Sequence, residues 1–326
     1  MSRILVNWNL RSVHHDYDKL SASVWIRCMQ LIPYLKNLGV DSTINDPFGP
    51  AEIQIFIRNQ NKQAQKLARK LKKQGKYIVF DIVVNYFDEA ENIDGPAGTS
   101  AEQVSECRRM VESANLITCA SEFIRQRALA HHDNVAYLAD SISRHHFRFR
   151  KKSADFLKKP LKAIWSGVSV KTGELAKLYP LLSDRGISLI VISDQRPDLP
   201  GPFTFVPWSY HTFPQAILEG DICVAPRKLD NPYNRGHSIF KIGVFMTQGV
   251  PALGSPLMSY EEVIGKADAG MICDSEQDWQ QALDSIMDDR GMLQTWSEKS
   301  YQAMEPYTTA KIAERYTELF KKALKS

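Results

Sequence analysis

Two cations beside an expected helix start carry the clearest chemistry in this sequence. From Asp221 to Pro251 it reads DICVAPRKLDNPYNRGHSIFKIGVFMTQGVP. An apolar strand ends at APR, a polar loop follows, and a helix is expected to begin near Ser238. Ser238 suits an N-cap, and the first amides of such a helix, around Ser238, Ile239 and Phe240, lack partners within it. Unpaired amides and the helix dipole together favour an anion. Lys241 in the first turn and Arg227 at the strand end would add positive charge. A lysine there slightly opposes the dipole, which a bound anion would explain. An ordinary exposed lysine and arginine are the plainer alternative.

A second group lies near the N-terminus. The loop NWNLRSVHHDYDKLSAS brings His14, His15, Asp16 and Asp18 together. A His–Asp arrangement can tune proton transfer near neutral pH, which makes His14, His15 and Asp16 the candidate catalytic groups, against a simple solvated loop. Arg27 sits inside the apolar stretch SVWIRCMQLIPYL, where a charge needs a partner or a ligand. Asp81 closes the run YIVF at a strand's C-terminal end, where α/β proteins place functional groups, and Asn85 and Tyr86 follow it. These four are expected to be structural or to contact a ligand.

The elements that must position these residues alternate along the chain. Strands are expected at 4–8, 53–58, 77–83, 116–121 and 135–140, with helices at 21–38, 62–74, 101–113 and 121–130 between them. Gly39 and Gly75 stand where helix C-terminal glycines belong. The basic stretch SISRHHFRFRKKSADFLKKP breaks the alternation and ends in proline. Strands resume at 161–167, 188–194, 203–208, 221–226 and 251–255, and the segment 292–325 reads as helical. Short apolar strands between helices imply parallel sheets covered on both faces. The fold class is therefore α/β, two tandem Rossmann-like domains facing each other across a cleft. Residues 1–143 are expected to form the N-terminal Rossmann-like domain, 144–160 a basic linker and 161–305 the C-terminal Rossmann-like domain. A C-terminal helix, 306–326, is expected to pack back on the N-terminal domain.

Composition narrows the classes. With 326 residues, 44% hydrophobic, 24% charged and a net charge of +4, this is an ordinary globular chain for which two cores are expected. No apolar run approaches the roughly 20 residues a bilayer requires, and the N-terminus turns polar too soon for a signal peptide, so a cytoplasmic protein is expected. The cysteines, Cys28, Cys107, Cys119, Cys223 and Cys273, show no C-x-x-C and no zinc-ligand spacing, so buried thiols and no metal are expected.

The order of motifs resembles that of retaining, nucleotide-sugar-dependent glycosyltransferases with the GT-B fold. DICVAP followed by FKIGVFMTQGVPALGS is similar to that group's strand, loop and K-x-x-E-x-M-A-x-G-x-P helix. SYEEVIGKADAGMICDSEQDWQQAL resembles its next segment. LITCASEFIRQRAL, IWSGVSVKTGELAKLYPLL and YIVFDIVVNYFD resemble segments further upstream. The resemblance implies that Lys171 and Lys241, with the amides around Ser238–Phe240, hold a donor diphosphate. It implies that Trp208 and Ser209 lie where the nucleobase rests. It also implies an acceptor in the N-terminal domain, on the side of Arg27, Asp81, Asn85 and Tyr86, a donor in the C-terminal domain, and transfer to a glycan or lipid-linked acceptor with no cofactor beyond the donor. One departure stands out: the group's Glu-x7-Glu pair is replaced by Gly236 and Val244, neither of which can accept a bond from ribose hydroxyls. A non-catalytic nucleotide- or glycan-binding protein of the same fold is the alternative. Two basic patches, on the 62–76 helix and on the linker from Arg144 to Lys152, would be solvated faces or would contact anionic membrane. No nucleic-acid module is recognisable.

Overall fold

The computed structural model describes residues 3–14, 16–91, 98–157 and 160–325. It contains two six-stranded sheets, with every strand pair parallel. The N-terminal sheet comprises β1 (Ile4–Leu10), β2 (Val40–Ile44), β3 (Ile53–Ile57), β4 (Tyr77–Ile82), β5 (Leu116–Cys119) and β6 (Val135–Tyr137), in the order β2-β1-β3-β4-β5-β6. The C-terminal sheet comprises β7 (Lys162–Ser166), β8 (Ser188–Ser193), β9 (Thr204–Pro207), β10 (Ile222–Ala225), β11 (Ala252–Gly254) and β12 (Gly270–Ile272), ordered β12-β11-β10-β7-β8-β9. Each order reverses once, at β1/β3 and at β7/β10. Such switch points leave a crevice beyond the strands' C-terminal ends, where open α/β sheets bind ligands.

β3, β5 and β10 are buried along their whole lengths, which is why they read as continuous apolar runs. β2 (VDSTI) escaped the sequence reading because it is a half-exposed edge strand with polar residues. The helix expected over 21–38 is broken into Ala22–Val24, a π-helical stretch Trp25–Met29 and Ile32–Asn37. Pro33 opens the last piece, since it can start a helix but cannot continue one. Gly39 and Gly75, at φ 83° and 80°, close the helices Ile32–Asn37 and Lys62–Lys73 in the left-handed backbone that glycine tolerates.

The π-helical turn delivers Arg27 to the interior. Its Nε and Nη2 each donate to Asp81 at 2.7 Å, Nη1 donates to the Leu138 carbonyl at 2.8 Å and to Asp140 at 3.1 Å, and Nη2 reaches the Tyr316 hydroxyl at 3.2 Å. Thr118 donates to the same Asp81 at 2.6 Å. Arg27 is 1% and Asp81 0% exposed. Neither residue lines the cleft, and their burial against each other gives the pair a structural role in place of an acceptor contact.

Tyr316 belongs to the last helix, Thr309–Ala323, whose Tyr316 and Phe320 join the core of the N-terminal sheet. The connecting stretch is no solvated linker. Phe147 and Phe156 are buried, and Lys151 pairs with Asp221 at 2.9 Å inside the C-terminal half. Arg144 and Arg150 stack on Tyr301 at 4.1 and 4.3 Å and pair with Glu305 and Glu298. Much of that basic patch is therefore neutralised.

Removing one partner of a buried ion pair leaves the other uncompensated. Arg27→Met is expected to lower stability by about 3–5 kcal/mol, read from the urea midpoint. Arg27→Met/Asp81→Leu should recover part of the loss. Equal losses in the two variants would show that the pair is not the source of the effect.

Candidate active site

A cleft of about 490 Å³ lies between the two sheets, where their switch points face each other. On the C-terminal side the chain leaving β7 turns at Gly167, where a side chain would collide with the Trp165 indole at 2.6 Å. A 3-10 turn, Ser169–Lys171, then leads into the helix Gly173–Asp184. Lys171 reaches the cleft from this turn, with Nζ 5.3 Å from the Tyr233 ring. Lys241 comes from beyond β10 and places Nζ 4.4 Å over the Trp165 ring. Arg227, just past the end of β10, lines the same wall, its amide bonded to the Ser255 hydroxyl at 2.8 Å. Its Nε is buried without a hydrogen-bond partner among the described residues.

These groups tune one another. Loss of hydration, then Arg227, hold the Lys241 ammonium well below its ordinary range. His237 lines the cleft beside Tyr233 and is held well below the usual imidazole range by burial, then by Arg227, Lys171 and Lys241. Positive groups packed this closely are costly without an anion. Lys171, Arg227 and Lys241 thus line one cleft together.

The helix itself starts later than expected, spanning Phe240–Met246. Ser238 sits outside it and uses its hydroxyl twice, donating to Asp140 of the N-terminal half and accepting the Phe240 amide at 3.3 Å. The Phe240 amide is thereby occupied. The amides of Ser238 and Ile239 make no hydrogen bond among the described residues. The Ile239 side chain is buried, while the Phe240 ring lines the cleft edge-on to Trp25 at 5.3 Å.

Trp208 lines the cleft next to this group. Ser209 does not: its hydroxyl donates to Asp18 at 3.2 Å, and the Tyr210 amide donates to the same carboxylate at 2.5 Å. Tyr210 stacks between Tyr17 at 4.6 Å and His146 at 4.0 Å, so the loop after β1 is clasped to the C-terminal half. His14 and Asp16 lie in this loop but outside the cleft. His14 Nδ1 accepts the Asp16 amide at 3.1 Å, and Asp16 accepts the Asp18 amide at 3.0 Å. Both form an exposed local turn, which corrects their expected catalytic role; His15 falls outside the described residues.

Asn85 is fully buried, donating to Asp88 and to the Pro232 carbonyl at 2.9 and 3.2 Å, so it joins the two halves instead of facing an acceptor. Tyr86 is also buried, its hydroxyl accepting two bonds from Arg58, at 3.2 and 3.1 Å. Arg58 and Asp194 both line the cleft, and neither was singled out from sequence. Each follows the last residue of an apolar run, IQIFI and SLIVIS, the same strand-end signal that drew attention to Asp81. Burial raises the Asp194 carboxyl, but the Ser169 amide at 2.7 Å and the Ser193 hydroxyl at 2.9 Å outweigh it and keep the group below its ordinary range.

The departure from the Glu-x7-Glu pattern has a steric basis at Gly236. A side chain on Gly236 would meet the Asn85 Cβ at 2.8 Å, and the Gly236 carbonyl accepts the Ser121 hydroxyl at 2.9 Å. A glutamate cannot occupy that place while the halves are in contact. Val244 lines the cleft as an apolar residue.

No family model matches the sequence, and no curated protein matches it. Solved structures do. Sucrose-phosphate synthase from Thermosynechococcus elongatus superposes with a TM-score of 0.75 at 12% identity, covering 99% of this chain and 100% of that one. HepE of Anabaena, in complex with UDP and glucose, gives 0.68 at 12% identity over 98% and 100%. An alpha-glucosyltransferase in complex with UDP-glucose and DNA containing an abasic site gives 0.61 at 9% identity, again over 98% and 100%. Two parallel sheets facing one cleft, matched along the full length by such structures, give this chain the GT-B fold.

Proposed function

We propose that the protein is a glycosyltransferase that takes its sugar from a nucleoside diphosphate donor held in the C-terminal half. The carrying observation is the convergence of Lys171, Arg227 and Lys241 at the β7/β10 switch point. In transfer, the bond between the anomeric carbon and the diphosphate oxygen breaks and its electron pair leaves on the diphosphate, while an acceptor hydroxyl oxygen bonds that carbon and its proton passes to the departing diphosphate. Fixed cations stabilise that charge more in the transition state than in the bound donor, which is what accelerates the step. Three of them supply what other diphosphate sites draw from a divalent ion, so activity is expected without added metal. The Trp208 indole offers a flat face for the base. Uridine diphosphate is the first probe to use, because two of the similar proteins were solved with UDP or UDP-glucose.

A diphosphate favours the charged forms of Lys241 and His237, raising pKa values that the free protein depresses. Binding should therefore take up protons, and affinity should fall as pH rises through the range where the free groups have lost theirs. Calorimetry in two buffers of different ionisation enthalpy measures the uptake directly. Lys241→Met should weaken uridine diphosphate about 10- to 100-fold, the worth of a charge-assisted bond. Unchanged affinity would remove Lys241 from the donor site.

The apolar Val244 and the enclosed Gly236 favour a second reading, a binding protein of the same fold without transferase activity. Donor hydrolysis or transfer by the purified protein decides between them.

The proposed acceptor is a glycan, free or lipid-linked. In support of the lipid-linked form, the helix Lys62–Lys73 exposes Lys62, Lys66, Arg69, Lys70 and Lys73, and Phe48, 64% exposed, lies 4.6 Å from Lys70 Nζ. Each lysine near an anionic surface contributes about 1 kcal/mol. Lys66→Glu/Lys70→Glu/Lys73→Glu should abolish co-sedimentation with phosphatidylglycerol vesicles at low salt. Equal sedimentation of the variant and the wild type would argue for a soluble acceptor.

A further inference from the structure

We propose that Arg58 is an anion-binding position for the acceptor, and that the acceptor carries a carboxylate or a phosphate ester close to the hydroxyl that receives the sugar. The inference rests on the cleft being the transfer site and adds the chemical class of its second substrate.

Place comes first. Arg58 follows the last residue of β3, and β3 is one of the two strands at the switch point of the N-terminal sheet. That is the position from which an open α/β sheet addresses a ligand. Arg58 lines the cleft from the N-terminal half, whereas Lys171, Arg227 and Lys241 line it from the C-terminal half.

The backbone there is unusual. Arg58 takes a φ of 48°, a left-handed conformation that is unfavourable for a side-chain-bearing residue and that glycine would adopt freely. Its amide is pinned to the Asp81 carbonyl at 3.2 Å, on the strand that Arg27 anchors. Strain held in place by surrounding structure is a mark of functional positions.

The side chain is fixed and unneutralised. Nε and Nη2 both donate to the Tyr86 hydroxyl, and Tyr86 is itself buried. Two of the five guanidinium N–H donors are thereby used to aim the group, and the others remain for a ligand. Among the described residues no carboxylate lies within ion-pair distance of Arg58. The two carboxylates in the cleft are committed elsewhere, Asp140 to Arg27 and Ser238, Asp194 to Ser169 and Ser193. A planar guanidinium pre-aimed in this way matches the paired oxygens of a carboxylate or phosphate.

The test uses the full chain saturated with uridine diphosphate, so that the donor cations are occupied. Glucose, glucuronate and glucose 6-phosphate are titrated as probes differing in one charged group. At least one charged sugar should bind about tenfold or more tighter than glucose, and the better one identifies the anion. Arg58→Gln should erase that preference while the affinity for uridine diphosphate stays within about twofold. Arg58→Gly, which fits the left-handed backbone, should behave like Arg58→Gln and guards against misfolding as the cause. Tyr86→Phe should reduce the preference by freeing the guanidinium.

Charged and neutral sugars binding alike, or none binding, would overturn the proposal. So would a loss of uridine diphosphate affinity in Arg58→Gln as large as that in Lys241→Met, which would make Arg58 a donor ligand. If uridine diphosphate does not bind the wild type, the donor assignment fails. The Arg58 arm is then read on the free protein, with Lys241→Met separating the two anion sites.

Discussion

One guanidinium holds this architecture together. Arg27 reaches Asp81 on β4, the carbonyl of Leu138 and the carboxylate of Asp140 beyond β6, and the hydroxyl of Tyr316 on the last helix. Asp140 in turn accepts from Ser238, which receives the amide opening the helix that carries Lys241. A buried charge is costly unless every oxygen around it is matched. The last helix, the N-terminal sheet and the cation-bearing helix are thus fixed relative to one another by the requirement to neutralise a single side chain. The same charge that would weaken an isolated domain specifies how two domains meet.

That constraint explains why the cleft can concentrate positive charge. Lys171, Arg227 and Lys241 repel one another, and His237 is pushed toward its neutral form by the same field. Flexible loops would let them spread apart. Trp165 beneath Lys241, Tyr233 beside Lys171 and Ser255 on the Arg227 amide prevent this. The cations are held together at some expense of stability, which is the preorganisation the proposed donor site calls for.

The fold was legible because fully buried parallel strands must be apolar along their whole length, as IQIFI, LITC and ICVA are. β2 was not, since an edge strand with one wet face carries Asp41, Ser42 and Thr43 and resembles a loop. Arg227 and Lys241 could be expected near one another because strand end, loop and helix start follow in sequence order, whereas Lys171 was reached only through the resemblance. The proposed catalytic loop failed for the opposite reason: His14 and Asp16 share a short polar segment, but sequence proximity does not say which side of a loop faces a cleft. Ser209 failed similarly, because its partner Asp18 is distant in sequence. Arg58 and Asp194 carry the same strand-end signal as Asp81, but which strand ends face the cleft is set by the strand order, which the sequence does not show. The basic linker misled because Glu298, Glu305 and Asp221, which neutralise it, lie far downstream.

The apolar core around Arg27 does not stop at the domain boundary. One continuous set of buried side chains runs from Val6 and Trp8 through Ile142 and Phe147 to Ile164 and Ile190, joined by Tyr316 and Phe320. Gly243 lacks the side chain that would strike Ile142, so helix and chain close without a gap. The two sheets therefore share one large apolar cluster, while each half keeps a second cluster of its own. Losing either half would expose the shared cluster to water. Heating should melt the protein in a single cooperative transition, and an excised half should behave as an incomplete fragment.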